Sequence, residues 1–128
     1  MDLQGLKVLN DTEGHEAGDA LIARYGEAIK TVTSERKRKT DGGYRVGGDE
    51  AIVLLYDTDE EGLKKAAEDY SLLFNRYGIK TGIGGGIIDT TDWNNMQESM
   101  RTIDERLYES KREAYETGKN NIKLTTAA

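Results

Sequence analysis

A chain of 128 residues has room for one domain and one core. It carries no cysteine and a single histidine, which excludes disulfides, thiolate metal sites and cysteine nucleophiles and leaves any metal to oxygen ligands, a donor set suited to magnesium, calcium or manganese. The net charge of −6 argues against a grip on polymeric nucleic acid while leaving room for small nucleotides carried with their metal, and no apolar run is long enough to cross a bilayer, so no membrane partner and a cytoplasmic location are expected.

With 15 glycines and no proline, glycine alone marks the turns. Asp2-Leu3-Gln4 reads as a fragment of extended chain, too short to be stable unless it pairs with something central. The segment from Asp11 to Asp19 is rich in turn formers and short polar side chains, and it reads as a functional loop. From Asp19 to Glu35, Leu21, Tyr25, Ala28, Ile29 and Val32 recur three or four apart, the period of an amphipathic helix that ends in the basic block Arg36-Lys37-Arg38-Lys39.

Tyr44–Val46 and Ala51–Tyr56 then read as the strands of a hairpin. Gly47 and Gly48 between them are expected to supply positive φ angles and to bare their backbone N–H groups. Asp49 and Glu50 follow at once. Adjacent carboxylates repel, so a divalent cation or a phosphate-bound metal is a natural resident, although an isolated Gly-Gly-Asp-Glu is more often a solvated acidic turn.

Thr58 and Glu61 form a capping box for a second long helix, whose apolar stripe is Leu63, Ala66, Ala67, Tyr70, Leu73, Phe74 and Tyr77, with Gly78 as its left-handed stop. Ile79–Ile88 is the next strand. Its glycines do not complete a dinucleotide fingerprint, because Ile87 stands where the last glycine belongs, and they read as points of close backbone packing. Asp92 caps a third helix with Trp93, Met96, Met100, Ile103, Leu107 and Ala114 on its buried side, Gly118 ends it, and Ile122–Thr125 pairs as an edge strand. The order predicts an α/β domain with helices packed on a mixed sheet.

Separated motifs in this order carry a resemblance: Lys7-x-x-Asn10-Asp11-x-x-Gly14-His15-x-x-Gly18-Asp19, Arg45-x-Gly47-Gly48-Asp49-Glu50, Asp104-x-x-Leu107-Tyr108-x-x-Lys111 and Gly118-Lys119-Asn120. Together they resemble the GGDEF domains of diguanylate cyclases. The resemblance implies a palm-like fold related to nucleotide cyclases, with residues 1–128 forming a single domain, and the condensation of two GTP into cyclic di-GMP across a homodimer. It implies that Asp2, Asp49 and Glu50, with the Leu3 carbonyl, hold Mg2+ or Mn2+ against the phosphates. Asn10 and Asp19 would read the guanine edge, Lys7, Lys111 and Lys119 would neutralise the triphosphate, Gly47 and Gly48 would line the substrate, and Arg38 with Asp41 would form an inhibitory product site.

The chain departs from that family in particular places. Ala51 stands where the motif has phenylalanine, and Gln4 where it has a second early aspartate. Only Met1 precedes Asp2, so the family's N-terminal helix and part of its first strand are expected to be missing. The stretch between Lys111 and Gly118 carries about one extra helical turn, which displaces Lys119. A catalytically impaired domain that binds GTP or cyclic di-GMP as a sensor or interaction module is therefore the alternative expectation.

Overall fold

The computed structural model describes residues 1–36 and 41–125. Its elements run β1 (Asp2–Leu3), α1 (Leu6–Glu13), α2 (His15–Glu35), β2 (Gly42–Gly47), β3 (Glu50–Leu54), α3 (Glu60–Arg76), β4 (Thr81–Gly85), α4 (Trp93–Thr117) and β5 (Asn121–Leu124). The strands make one mixed sheet in the order β2-β3-β1-β4-β5. β1 lies antiparallel to both β3 and β4, while β4 and β5 are parallel, as a helical crossover between them requires.

The alternation of strand side chains assigns the two faces. On one face Leu3, Ala51 and Ile83 join Tyr25, Ala28, Ile29, Tyr70 and Phe74 of α2 and α3 in the main core. On the other, β4 presents glycines to α4. A Cβ on Gly82 would lie 2.8 Å from the Lys111 backbone nitrogen, and one on Gly84 would lie 2.3 Å from that of Leu107. These glycines are the close-packing points expected from the sequence, and the helix can reach this sheet only because they lack side chains.

Several local expectations are corrected. The stretch before Asp19 is mostly helical: Gly14, with φ of 92°, separates α1 from α2 where a loop was expected. Neither Gly47 nor Gly48 has a left-handed φ; the chain reverses at Gly48 and Asp49, between the paired Gly47 and Glu50, after a register shift between Arg45 and Gly47. The cap of α3 is Asp59, which accepts from the Gly62 amide at 2.8 Å, one residue later than the expected Thr58. Thr58 donates to the Tyr56 carbonyl and accepts from Arg36.

The apolar stripe of α4 is also less buried than its spacing suggests. Trp93 is 65% exposed and Met100 40%, and of the expected residues only Ala114 is fully buried. The reason is length: 25 residues of helix extend about 37 Å, while the five residues of β4 beneath extend about 16 Å. The N-terminal half of α4 overhangs the sheet. Gly78 and Gly118 do terminate their helices with φ of 69° and 67°, and Asp92 caps α4 by accepting from the Asn95 amide.

Ser110 fastens α4 to the sheet. Fully buried, its hydroxyl donates to the Asn121 carbonyl at 2.6 Å and accepts from the Ile83 amide at 3.0 Å. Ser110→Ala strands two buried backbone groups and is expected to cost about 2–4 kcal/mol, read as a lower urea midpoint with an unchanged slope.

Candidate functional site

The central strand β1 is only two residues long, yet it is tied on both sides. Leu3 donates its amide to the Asp49 carbonyl at 2.7 Å, Gln4 donates to Lys80, and the Met1 carbonyl accepts from Ala51. The Met1 ammonium donates to the Ala51 carbonyl at 2.9 Å, and burial lowers its pKa. The short strand expected from the sequence is present, but its residues are firmly held, with Asp2 and Leu3 each 1% exposed.

Asp2 is therefore a carboxylate carried into the interior by sheet pairing. It sits opposite Glu50 on β3 and opposite Gly82 on β4. Its Oδ2 accepts from Lys111 Nζ of α4 at 2.9 Å, while its Oδ1 is buried with no partner among the described residues. That hydrogen bond and the Asp2 charge raise the Lys111 pKa, and Asp49 and Glu50 add to the effect. The three carboxylates and Lys111 thus share one electrostatic neighbourhood at the edge of α4. An orphaned buried carboxylate oxygen beside two further carboxylates suits a hard divalent cation. Among the described residues, however, no three acidic or histidine side chains alone are grouped to hold a metal ion, so other oxygens would have to complete the shell.

The expected guanine readers stand on two helices that pack together. Asn10 lies on α1 and Asp19 on α2, and the junction at Gly14 folds these helices together. A Cβ on Gly18 would lie 1.7 Å from Asn10 Oδ1, so Gly18 is glycine because the Asn10 side chain occupies that space. Asn10 Oδ1 is buried without a partner among the described residues, and Asp19, next after Gly18, is exposed. Lys7 lies exposed in the first turn of α1, a helix with no side-chain cap and no acidic residue in that turn, so its amides and dipole favour an anion there.

Lys119 is not brought to the same place by α4. That helix runs unbroken past Lys111 to Thr117, and Lys119 follows the Gly118 cap, about two turns farther on. Gly47 and Gly48 are exposed, with open space where a Cβ would stand. Arg38 lies outside the described residues. Asp41 is fully buried at its side chain: Oδ2 accepts from Arg36 Nε at 3.0 Å and Oδ1 from the Tyr56 amide at 2.8 Å. Sequence reading missed Arg36 as the partner of Asp41, although its place at the end of the helix and five residues from Asp41 was visible.

A mixed sheet with an acidic hairpin beside a buried central-strand aspartate is the palm-like cyclase fold. The chain superposes with a TM-score of 0.73 on the active GGEEF domain of a diguanylate cyclase from Vibrio cholerae, at 22% identity and covering 99% of this chain and 80% of that one. It superposes with a TM-score of 0.64 on the GGDEF domain of DgcB from Caulobacter crescentus in complex with c-di-GMP, at 18% identity, covering 96% and 73%. The family model described as Diguanylate cyclase, GGDEF domain matches residues 1–117, and the chain belongs to that family. It is 30% identical over 132 aligned positions to Diguanylate cyclase A of Treponema denticola, covering 98% of this chain and 34% of that protein's length. No helix among the described residues is long and apolar enough to cross a membrane.

The Asp41–Arg36 pair joins the end of α2 to the start of β2 and the end of β3. Asp41→Ala leaves a guanidinium with 15% side-chain exposure and a backbone amide without their acceptor. A loss of about 3 kcal/mol is expected, measured by chemical denaturation, with Asp41→Asn intermediate.

Proposed function

We propose that the domain is a diguanylate cyclase, a nucleotidyltransferase that joins two GTP into cyclic di-GMP by two-metal phosphoryl transfer across a homodimer. The observation that carries this reading is Asp2: a buried carboxylate with one free oxygen, facing Glu50 across the strand pair and Lys111 across α4. Asp2, Asp49 and Glu50, with the Leu3 carbonyl, would hold Mg2+ or Mn2+, and phosphate oxygens of the nucleotide would complete the coordination that the protein leaves open. Bound divalent ions supply charge neutralisation on the attacking and leaving oxygens of an in-line displacement.

The chain's own residues do the rest. Lys111 exchanges its bond to Asp2 for phosphate oxygens, Lys7 and the first amides of α1 receive the terminal phosphate, and Asn10 and Asp19 read the guanine. A carboxylate accepts from both N1–H and the exocyclic amine, donors that adenine does not present together. Lys119 is too far along the chain from Lys111 to be assigned the same phosphate, and Arg38 with Asp41 remains our candidate for an inhibitory product site, at which a ligand must displace Arg36 or the Tyr56 amide from Asp41. The homodimer is supported by the open sheet face beside Asp2, where Tyr44, Ile52 and Leu54 are 56%, 41% and 39% exposed.

A second reading rests on Ala51. With a methyl group where a ring would support the turn from behind, the domain would bind GTP or cyclic di-GMP without turning substrate over. Incubation with GTP and magnesium at high protein concentration distinguishes the two. The cyclase reading expects cyclic di-GMP, with Asp49→Ala and Asp2→Asn each lowering the rate at least a thousandfold, about 4 kcal/mol. Nucleotide binding by calorimetry with no product at any concentration would establish the binding module, and absence of both would exclude either reading.

A further inference from the structure

The β2–β3 hairpin and α2 meet with the usual sizes inverted. On the face that cross-strand partners share, the hairpin offers α2 Gly43 beside Val53 and, two residues on, Ala51, where strands favour branched or aromatic side chains. The bulk comes from the helix. Tyr25 and Ile29, one turn apart on the same side of α2, are both buried. A Cβ on Gly43 would lie 2.5 Å from Ile29 Cγ2, so the strand is small there because the helix side chain takes the space. Ala51 is buried in the same core cluster as Tyr25 and Ile29, and all three line the junction between α2 and the hairpin.

Tyr25 is the only tyrosine, phenylalanine or tryptophan on α2. Its ring lies against Phe74 of α3, with centroids 5.3 Å apart and the planes tilted by 39°. Burial pushes its phenol well up, and the charges of Asp2, Asp49 and Glu50 add to the effect, so the side chain lies within electrostatic reach of all three carboxylates. Its hydroxyl has no partner among the described residues, so Tyr25 contributes a ring here and not a hydrogen bond.

We propose that Tyr25 is the positioning residue of the acidic turn: its ring, carried by α2, supports the strand behind Asp49 and Glu50 in place of the ring that position 51 lacks. Cores accept such an exchange when the summed volume across a contact is kept. In front, β1 holds the same segment through the Leu3–Asp49 and Met1–Ala51 backbone hydrogen bonds, which leaves the side behind to α2. Ala51 by itself then does not mark the domain as impaired. The catalytic consequence rests on the cyclase reading, while the packing does not.

The size swap tests this on the intact chain. Tyr25→Val and Ala51→Phe are each expected to lower the urea midpoint, and the double variant to recover at least half of the summed loss. Tyr25→Val is expected to speed hydrogen exchange at the Leu3 and Ala51 amides at least tenfold; Val32→Ala, about two turns along α2, lowers the midpoint without that selective effect. With GTP, Tyr25→Val is expected to raise the Mn2+ needed for half-maximal cyclic di-GMP synthesis at least fivefold and to lower kcat, with KM for GTP within twofold, and Tyr25→Phe to retain the parent behaviour. If Ala51→Phe does not fold, Tyr25→Phe against Tyr25→Val carries the exchange and Mn2+ measurements alone. Additive midpoints, unchanged exchange at Leu3 and Ala51, or loss of function in Tyr25→Phe equal to that in Tyr25→Val would each overturn the proposal. A parent chain that makes no product fails the cyclase reading, and the midpoints and exchange rates still decide whether Tyr25 supports the turn.

Discussion

A carboxylate that is 1% exposed must be compensated, and Asp2 is compensated on one oxygen only. Burying an unpaired charge costs far more than a surface pair returns, so the Lys111 ammonium 2.9 Å away is what allows this strand to occupy the middle of the sheet. Lys111 is half exposed, so the pair is screened and exchangeable on that side, while the Asp2 side is not. A fixed anion beside a replaceable cation keeps the strand balanced in charge while the lysine stays free to exchange its partner.

Where Lys111 stands is decided by glycines on another strand. Gly82 and Gly84 let the α4 backbone settle against β4 at Ser110, Lys111 and Leu107, and any side chain at either glycine would lift the helix away. Ser110 then fixes α4 along its axis by bonding across β4 and β5. The charge balance at Asp2 is thus set by packing between α4 and β4, and α4 tolerates an overhanging, exposed first half because its last half carries the attachment.

The legible parts of the sequence were those governed by period and by local chemistry. The stripes of α2 and α3, the Asp92 cap and the Gly78 and Gly118 stops depend on neighbours within a turn or two, and they appear where the pattern places them, except that Tyr77 caps α3 and is 39% exposed where a buried stripe residue was expected. The motifs place Asp2 against Lys111, with Glu50 opposite Asp2 on the neighbouring strand, and put Asn10 and Asp19 on adjoining helices. What was not legible depends on distant contacts. Nothing local says that Gly18 is small for the sake of Asn10, that Asp41 is claimed by Arg36, or that the hairpin turns without left-handed glycines. The first helix was hidden because polar residues dominate it and only Leu6 and Leu9 pack against the core.

β3 has two faces, and the consequence falls on the turn. Glu50 points toward Asp2, and Ala51 points the other way, toward Tyr25 and α2. A substitution at position 51 therefore alters the support of the acidic turn without changing its charge. Relative to a ring, a methyl group in a core position forgoes about 3–5 kcal/mol, a sizeable part of the roughly 5–15 kcal/mol that holds a domain folded. The backbone still holds the turn from the other side through the Leu3–Asp49 and Met1–Ala51 hydrogen bonds. The position of the carboxylates is then a balance between β1 in front and the packing of Ala51 against Tyr25 and Ile29 behind.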